Sequence, residues 1–401
     1  MTYTCAFISS IKQISPDTWA NLTKNAGPFL QYDFLYGLEQ TRCVGKDTGW
    51  TPSHLVVYRN DAVVGAMPGY LKTHSYGEYV FDHSWADAYA QHGLSYYPKW
   101  ISAIPFTPVT GGRLLSMPDC DLSAVTQQAV TAIKGQYQGG CSSAHLLFMP
   151  PEDCPLFLEQ DFLARFSVQF QWYNYDYHHV DDFTATLTSR KRKSLRKSKE
   201  KLTAAGVSFH HLTGNALRPE HLHFFIRCYQ LTYMKRSGHT GYLTPEFFTH
   251  LYNTLSDSML IIEARKDDIP IASALLFYDE TGLYGRYWGT TQLIDGLHFE
   301  CCYNQGIAFA IENKLPLFNP GTQGEHKILR GFEPTFCVSL HHLNHAGFHH
   351  AVRDFLTEEK SQMTHYFDQA AAVLPFNQAM KERLKTKTNA QVISHCVQHK
   401  K

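Results

Sequence analysis

One order of segments occurs twice in this chain. The stretches AVVGAMPGYLKTHSYGEYVF (62–81) and IPIASALLFYDETGLYGRYW (269–288) each follow an Arg-x-Asp triplet, Arg59–Asp61 and Arg265–Asp267. Each then leads through a hairpin to a Tyr-Gly or Gly-Tyr run. The identity between them is weak, but the order of elements matches, and a duplicated α/β domain is the economical explanation. Length agrees, because 401 residues exceed what one compact core usually serves.

In the first copy HLVVYRND and AVVGAMPGYLK (54–72) read as two strands joined at Asn60-Asp61, a hairpin signature. YGEYVF (76–81) reads as a third strand. KWISAIPFTPV (99–109) has strand character, with two prolines that suit an edge or a bulge. The Leu, Val, Val, Ile spacing of 122–136 predicts a helix, AHLLFMP (144–150) a buried strand, and 166–180 an alternating one. The second copy repeats the order: two strands around a polar turn over 260–280, a third at 282–291, a helical stripe at 297–314, then short strands at 315–321 and 332–343. The expected fold is α/β (α+β): two tandem GNAT-like acyltransferase domains, mixed sheets flanked by helices. The expected division is 1–180, 181–346 and a C-terminal helical segment, 347–401.

Composition removes several function classes. Lys plus Arg and Asp plus Glu number 36 each, so no global field recruits nucleic acid or an acidic membrane, and any basic surface is local. No window approaches the ~18 apolar residues of a membrane-spanning helix. The first residues lack the pattern of a signal peptide. Ten scattered cysteines without a CxxC pair read as reduced, mostly buried thiols, so a cytoplasmic location is expected. The histidine-rich HHLNHAGFHH (341–350) is not spaced with cysteines or carboxylates as zinc sites are, and reads as a polar turn and helix start with exposed imidazoles. No metal is expected.

Two stretches concentrate chemistry. TSRKRKSLRKSKEKLTAAG (188–206) places eight basic residues between Arg190 and Lys201. On a helix Arg192, Arg196 and Lys199 share a face while Leu195 and Leu202 turn inward. Arg190, Arg192 and Arg196 are candidates for phosphate, which guanidinium groups grip by charge-assisted, bidentate hydrogen bonds. A solvated charged face is the plain alternative. GTQGEHKILRGFEP (321–334) carries Gln323, Glu325, His326, Lys327 and Arg330 on a glycine-bounded loop after a strand, where ligand-binding residues concentrate. Between these lies HLHFFIRCYQLTYMKRSGHTGYLTPEFF (221–248), a packed helix stopped at Gly238. Tyr287, Trp288, His298 and Glu300 flank the loop in sequence; an acid at a helix start also complements the dipole, which is a structural reason for Glu300.

Taken together, PFLQYDFLYGLEQT (28–41), HSWADAY (83–89), PKWISAIPFTPVTGGRLL (98–115), the basic run, the Tyr-x-x-Thr to Tyr-Leu segment (229–243), RYWG with LHFECCYNQGI, and NPGTQGEHKILRGFEP resemble the FemAB-like predicted N-acyltransferases. Such proteins are called peptidoglycan biosynthesis or recognition proteins. The resemblance covers nearly the whole chain and implies two GNAT-like domains and acyl transfer to an amine acceptor, such as a cell-wall precursor or a small amine, in a cleft between them. It implies no permanently bound cofactor; the acyl donor is aminoacyl-tRNA or acyl-CoA, with tRNA as the corresponding partner.

Acyl transfer needs a deprotonated amine, a donor carbonyl held against it, and stabilisation of the oxyanion that forms. The catalytic candidates are therefore Glu325 or His326 as base and Lys327 as oxyanion support. Tyr287, Trp288, His298, Glu300, Gln323 and Arg330 are the substrate-binding candidates. The Arg/Gln-x-x-Gly-x-Gly/Ala loop that holds the pyrophosphate of acetyl-CoA is absent, which turns attention to the basic helix for donor phosphates. A non-catalytic recognition protein is the alternative. A hydrolase is disfavoured, since no Gly-x-Ser-x-Gly elbow occurs.

Overall fold

The computed structural model describes residues 2–24, 26–322 and 324–385. It divides into two compact units: residues up to Val168 with Phe336–Phe367, and Gln169–Thr335 with the segment that follows Phe367. The division is not continuous along the chain, so the residues after 347 are shared between the units rather than forming a segment of their own.

The first unit opens with β1 (Tyr3–Ile8), β2 (Trp50–Pro52), β3 (His54–Arg59) and β4 (Ala62–Met67). The β3–β4 turn places Asn60 and Asp61 at φ 51° and 64°, the left-handed pair a two-residue hairpin demands. β5 (Tyr70–Lys72), β6 (Lys99–Ser102), β7 (Leu115–Ser116) and β8 (Ser143–Met149) follow. β1, β3, β4 and β7 form one sheet. β5 is antiparallel to β6, which runs parallel to β8 across the helix Leu122–Gly135. A long strand, β9 (Leu163–Tyr173), carries the chain into the second unit.

There β10 (Val207–Thr213), β11 (Met259–Lys266), β12 (Ile269–Asp279) and β13 (Gly282–Thr290) form an antiparallel meander. The β11–β12 turn repeats the earlier one, with Asp267 and Asp268 at φ 51° and 63°. β14 (Leu317–Asn319) lies parallel to β13 after a helix, as β8 does to β6. β15 (Glu333–Leu343) pairs with β8 through its later residues, which belong to the first unit. A hairpin followed by a helix and a parallel strand therefore occurs in both halves, and the duplication read from sequence is real in topology. The fold is mixed α+β, with sheets flanked by helices in both halves.

Two local expectations fail for a common reason, burial of ionisable groups. Tyr76–Phe81 is not a strand, because its polar residues are pulled inward. Lys99 Nζ, wholly buried, donates to Ser75 Oγ (2.9 Å), Glu78 (2.8 Å) and Asp82 (2.5 Å), while Tyr76 and Phe81 stay exposed. β6 takes the place beside β5 instead, and ends at Ser102 before the two prolines. The histidine-rich stretch is a turn and helix start only from residue 344 on, where His345 and His350 are exposed. His341 is buried in β15 opposite His145 of β8, their Nδ1 atoms 2.7 Å apart, and His349 is buried as well.

Candidate active site

The loop after β14 is shaped by its glycines. Gly324 sits at φ 107°, and a Cβ there would come within 2.2 Å of the His326 ring. A tight 3-10 segment, Glu325–Arg330, follows and closes at Gly331. It splits its charges: Glu325 is exposed, whereas Lys327 is buried and donates from Nζ to the Gly321 carbonyl at 2.6 Å. Arg330 donates to the His326 carbonyl at 2.6 Å and lays its guanidinium 3.5 Å above the Phe299 ring. That stacking suits a guanidinium partly stripped of water.

The facing helix contains the decisive irregularity. Leu297–Phe299 and Gln305–Glu312 are α-helical, but Glu300–Asn304 between them is a π-turn. Such bulges swing side chains off the α-helical register and recur at functional sites. Tyr303, on this turn, brings its hydroxyl 2.8 Å from His326 Nε2. His298 packs against Trp288 (5.0 Å between rings) and against Tyr303 (5.6 Å). Trp288 is set by β13, which passes so close to the helix Pro219–Ser237 that a Cβ at Gly289 would lie 2.0 Å from the Cys228 carbonyl oxygen. Thr232 of that helix donates to the Trp288 carbonyl (2.9 Å).

The cluster combines neutral imidazoles with desolvated cations. Burial first, then His326, Arg236, Arg330 and Lys327, hold His298 down to about 4. Burial, with Arg330 and Lys327, also lowers His326, so both rings are neutral bases at physiological pH. Lys191, from the basic helix, is lowered to about 8 by burial and by Arg330. Burial brings Lys327 down to about 7. For Lys327 a folded-state value below the unfolded one means that folding releases its proton between about 7 and 10.5, so stability rises with pH across that window. Lys72 in the first unit, buried and lowered to about 7, acts in the same sense. Thermal unfolding followed from pH 7 to 10 is expected to show a rising midpoint whose slope is shallower in Lys327→Met.

The structure gathers His298, His326, Lys327, Arg330 and Trp288 of the sequence candidates. Tyr287 stands apart from them, packed on Tyr229 (5.1 Å) and Phe248 (6.0 Å). Glu300 is buried and spends its carboxylate on Asn304 and Gln305. Gln323 lies outside the described residues. The basic run forms the helix Ser189–Ala204, in which Arg190 and Arg196 are exposed. Arg196 pairs loosely with Glu200 (3.5 Å), and Arg192 donates to the Leu187 carbonyl (2.5 Å) and Ser189 Oγ (3.1 Å). Sequence reasoning passed over Tyr303 and Phe299 as members of the site. Their apolar spacing is that of any packed helix, and nothing in it signals a π-turn.

A family model described as FemAB-like, peptidoglycan biosynthesis/recognition, matches residues 10–378. The chain belongs to the FemAB-like family. Among solved structures, FemX aligns with a TM-score of 0.52 at 10% identity, over 88% of this chain and all (100%) of that one. The C-terminal domain of a lysylphosphatidylglycerol synthetase from Agrobacterium fabrum aligns at 0.51 and 9% identity, over 86% and 96%. At such identities the likeness is one of fold. No curated protein sequence matches this FemAB-like chain, and no helix among its described residues is long and apolar enough to cross a membrane.

Proposed function

We propose that this FemAB-like protein is an N-acyltransferase that moves an aminoacyl or acyl group onto an amine, with its chemistry in the second unit. The observation that carries the reading is the Tyr303–His326 hydrogen bond set beside the cations of Lys327 and Arg330. In the reaction an acceptor amine attacks the donor carbonyl; a C–N bond forms and the bond to the donor's leaving oxygen or sulfur breaks. The neutral His326 takes the proton that the amine sheds, and the Tyr303–His326 pair returns a proton to the leaving group. Arg330 and Lys327 favour negative charge on the carbonyl oxygen. Glu325, exposed at the start of the segment, passes protons to solvent. Trp288 and His298 supply aromatic walls for the acyl or acceptor group, and Glu300 takes a supporting role.

Aminoacyl-tRNA is the favoured donor. The acetyl-CoA loop is missing from the sequence, and the basic helix leaves Arg190, Lys193, Arg196 and Lys197 exposed for a phosphate backbone. Arg192 contributes mainly by bracing the helix. The acceptor is an amine of a peptidoglycan precursor, in keeping with the family. Binding of aminoacyl-tRNA and of acetyl-CoA at low and high salt tests this. tRNA binding is expected to weaken steeply with salt. Replacing those four residues by neutral ones is expected to flatten the log–log slope by up to about 0.9 for each phosphate left without a cation. Tight acetyl-CoA binding without tRNA binding overturns the donor assignment; if neither binds, a non-catalytic recognition role replaces the enzyme.

A further inference from the structure

We propose that Glu300 is a positioning residue, and that the hydrogen-bonded chain His211–Gln305–Glu300–Asn304 locks the π-turn that aims Tyr303 at His326. The inference rests on the acyltransfer reading for its catalytic consequence, but not for its geometry. Glu300 is 3% exposed, and amides occupy both of its oxygens. Asn304 Nδ2 donates to Oε2 at 2.6 Å, and Gln305 Nε2 donates to Oε1 at 2.8 Å. Gln305 is held in turn from β10, where His211 Nε2 lies 3.0 Å from its Oε1.

Glu300 and Asn304 are the first and last residues of the π-turn, and Gln305 is the first residue of the α-helix beyond it. A regular α-helix would bring i and i+4 together as well. The additional grip on i+5 is what the wider turn places in reach. A π-turn lacks the compact hydrogen bonding of an α-helix, so side chains must stabilise it. A carboxylate bridging its two ends does so without facing the cations. Those cations, Lys327, Arg330 and Arg236, surround the two imidazoles instead. Tyr303, between the bridged ends, is thereby carried onto His326.

Two variants test this. Glu300→Gln presents an amide nitrogen to a neighbouring amide donor and breaks one bridge. Glu300→Gln combined with Gln305→Glu restores every bond, with the carboxylate moved to the other end of the bridge. The carboxylate introduced at position 305 accepts from the amide nitrogen introduced at position 300 and from His211. The amide oxygen at position 300 then accepts from Asn304. The first readout is the His326 imidazole resonance and its titration, assigned with His326→Asn. His326 faces Lys327 and Arg330 on its own segment, and His298, Phe299 and Tyr303 on the helix. In the single variant the signal is expected to shift and its midpoint to rise toward an ordinary imidazole, as the loosened turn admits water. The double variant returns both to the wild-type values.

The second readout is transfer. The single variant is expected to lose about 10²-fold in kcat with KM nearly unchanged, the scale of a small misplacement of a reacting group, and the double variant to recover. An unmoved His326 signal in the single variant, or a folded double variant that recovers neither readout, overturns the proposal. If the wild type shows no transfer at all, the acyltransfer reading fails while the resonance experiment still decides the role of Glu300.

Discussion

Lys327→Met is expected to lower the rate of transfer by about 10²–10³-fold, the usual loss when one preorganised electrostatic donor is removed from a site. Methionine fills a comparable volume, and Lys327 is buried, so the substitution removes a charge from an apolar setting rather than opening a void. Two effects then combine. The Gly321 carbonyl loses its donor, which slackens the glycine loop, and the positive field at His298 and His326 is reduced. The fold should persist with an unchanged or raised melting temperature, because a desolvated ammonium disfavours the folded state. Steady-state kinetics beside thermal unfolding separates the effects; unchanged kcat/KM with a raised melting temperature assigns Lys327 to structure alone.

Lys99→Met carries the largest expected loss of stability, about 3–5 kcal/mol in the first unit, the cost of breaking a buried ion pair from one side. Lys99 has no exposed surface, and removing its ammonium leaves Glu78 and Asp82 buried without their principal cation. The segment 75–82, whose Tyr76 and Phe81 point outward, is held besides by hydrogen bonds from Trp50 and Lys72 to the Tyr76 carbonyl and from Arg165 to the Phe81 carbonyl, but none of these compensates both carboxylates. Denaturant unfolding measures the loss. The triple variant Lys99→Met, Glu78→Gln, Asp82→Asn should recover much of it, since no charge is then left uncompensated. A single variant as stable as the wild type rules out an ionic clamp on the segment.

These two lysines also mark the limit of what sequence conveys. The hairpins at Asn60-Asp61 and Asp267-Asp268 were legible because only a few residue types accept two successive left-handed conformations. The helix Leu122–Gly135 was legible from its apolar spacing, and the fully buried β8 from a short apolar run ended by two prolines. YGEYVF misled because its aromatic and β-branched residues are those that strands favour, while the partner that draws its polar residue inward, Lys99, lies far along the chain. His341 misled likewise, since only register opposite His145 reveals a buried imidazole pair.

At the candidate site, glycine spacing and charge exposed the loop, and the loop supplied His326, Lys327 and Arg330. The tyrosine that completes it depends on a backbone irregularity fixed by Glu300, Asn304 and Gln305. In sequence those three are ordinary polar residues on a helix. Glu300 was legible as a residue of interest, but its role depends on partners that only the folded backbone supplies.

The most direct test of the account is transfer itself. The purified protein is incubated with aminoacyl-tRNA labelled in the aminoacyl group and with a peptidoglycan precursor bearing a free amine, alongside His326→Asn. The account predicts label in a base-stable amide on the precursor for the wild type, and a loss of about 10²-fold or more for the variant. Label that stays on tRNA or appears only as free amino acid, equally with both proteins, contradicts a transfer site at Tyr303 and His326.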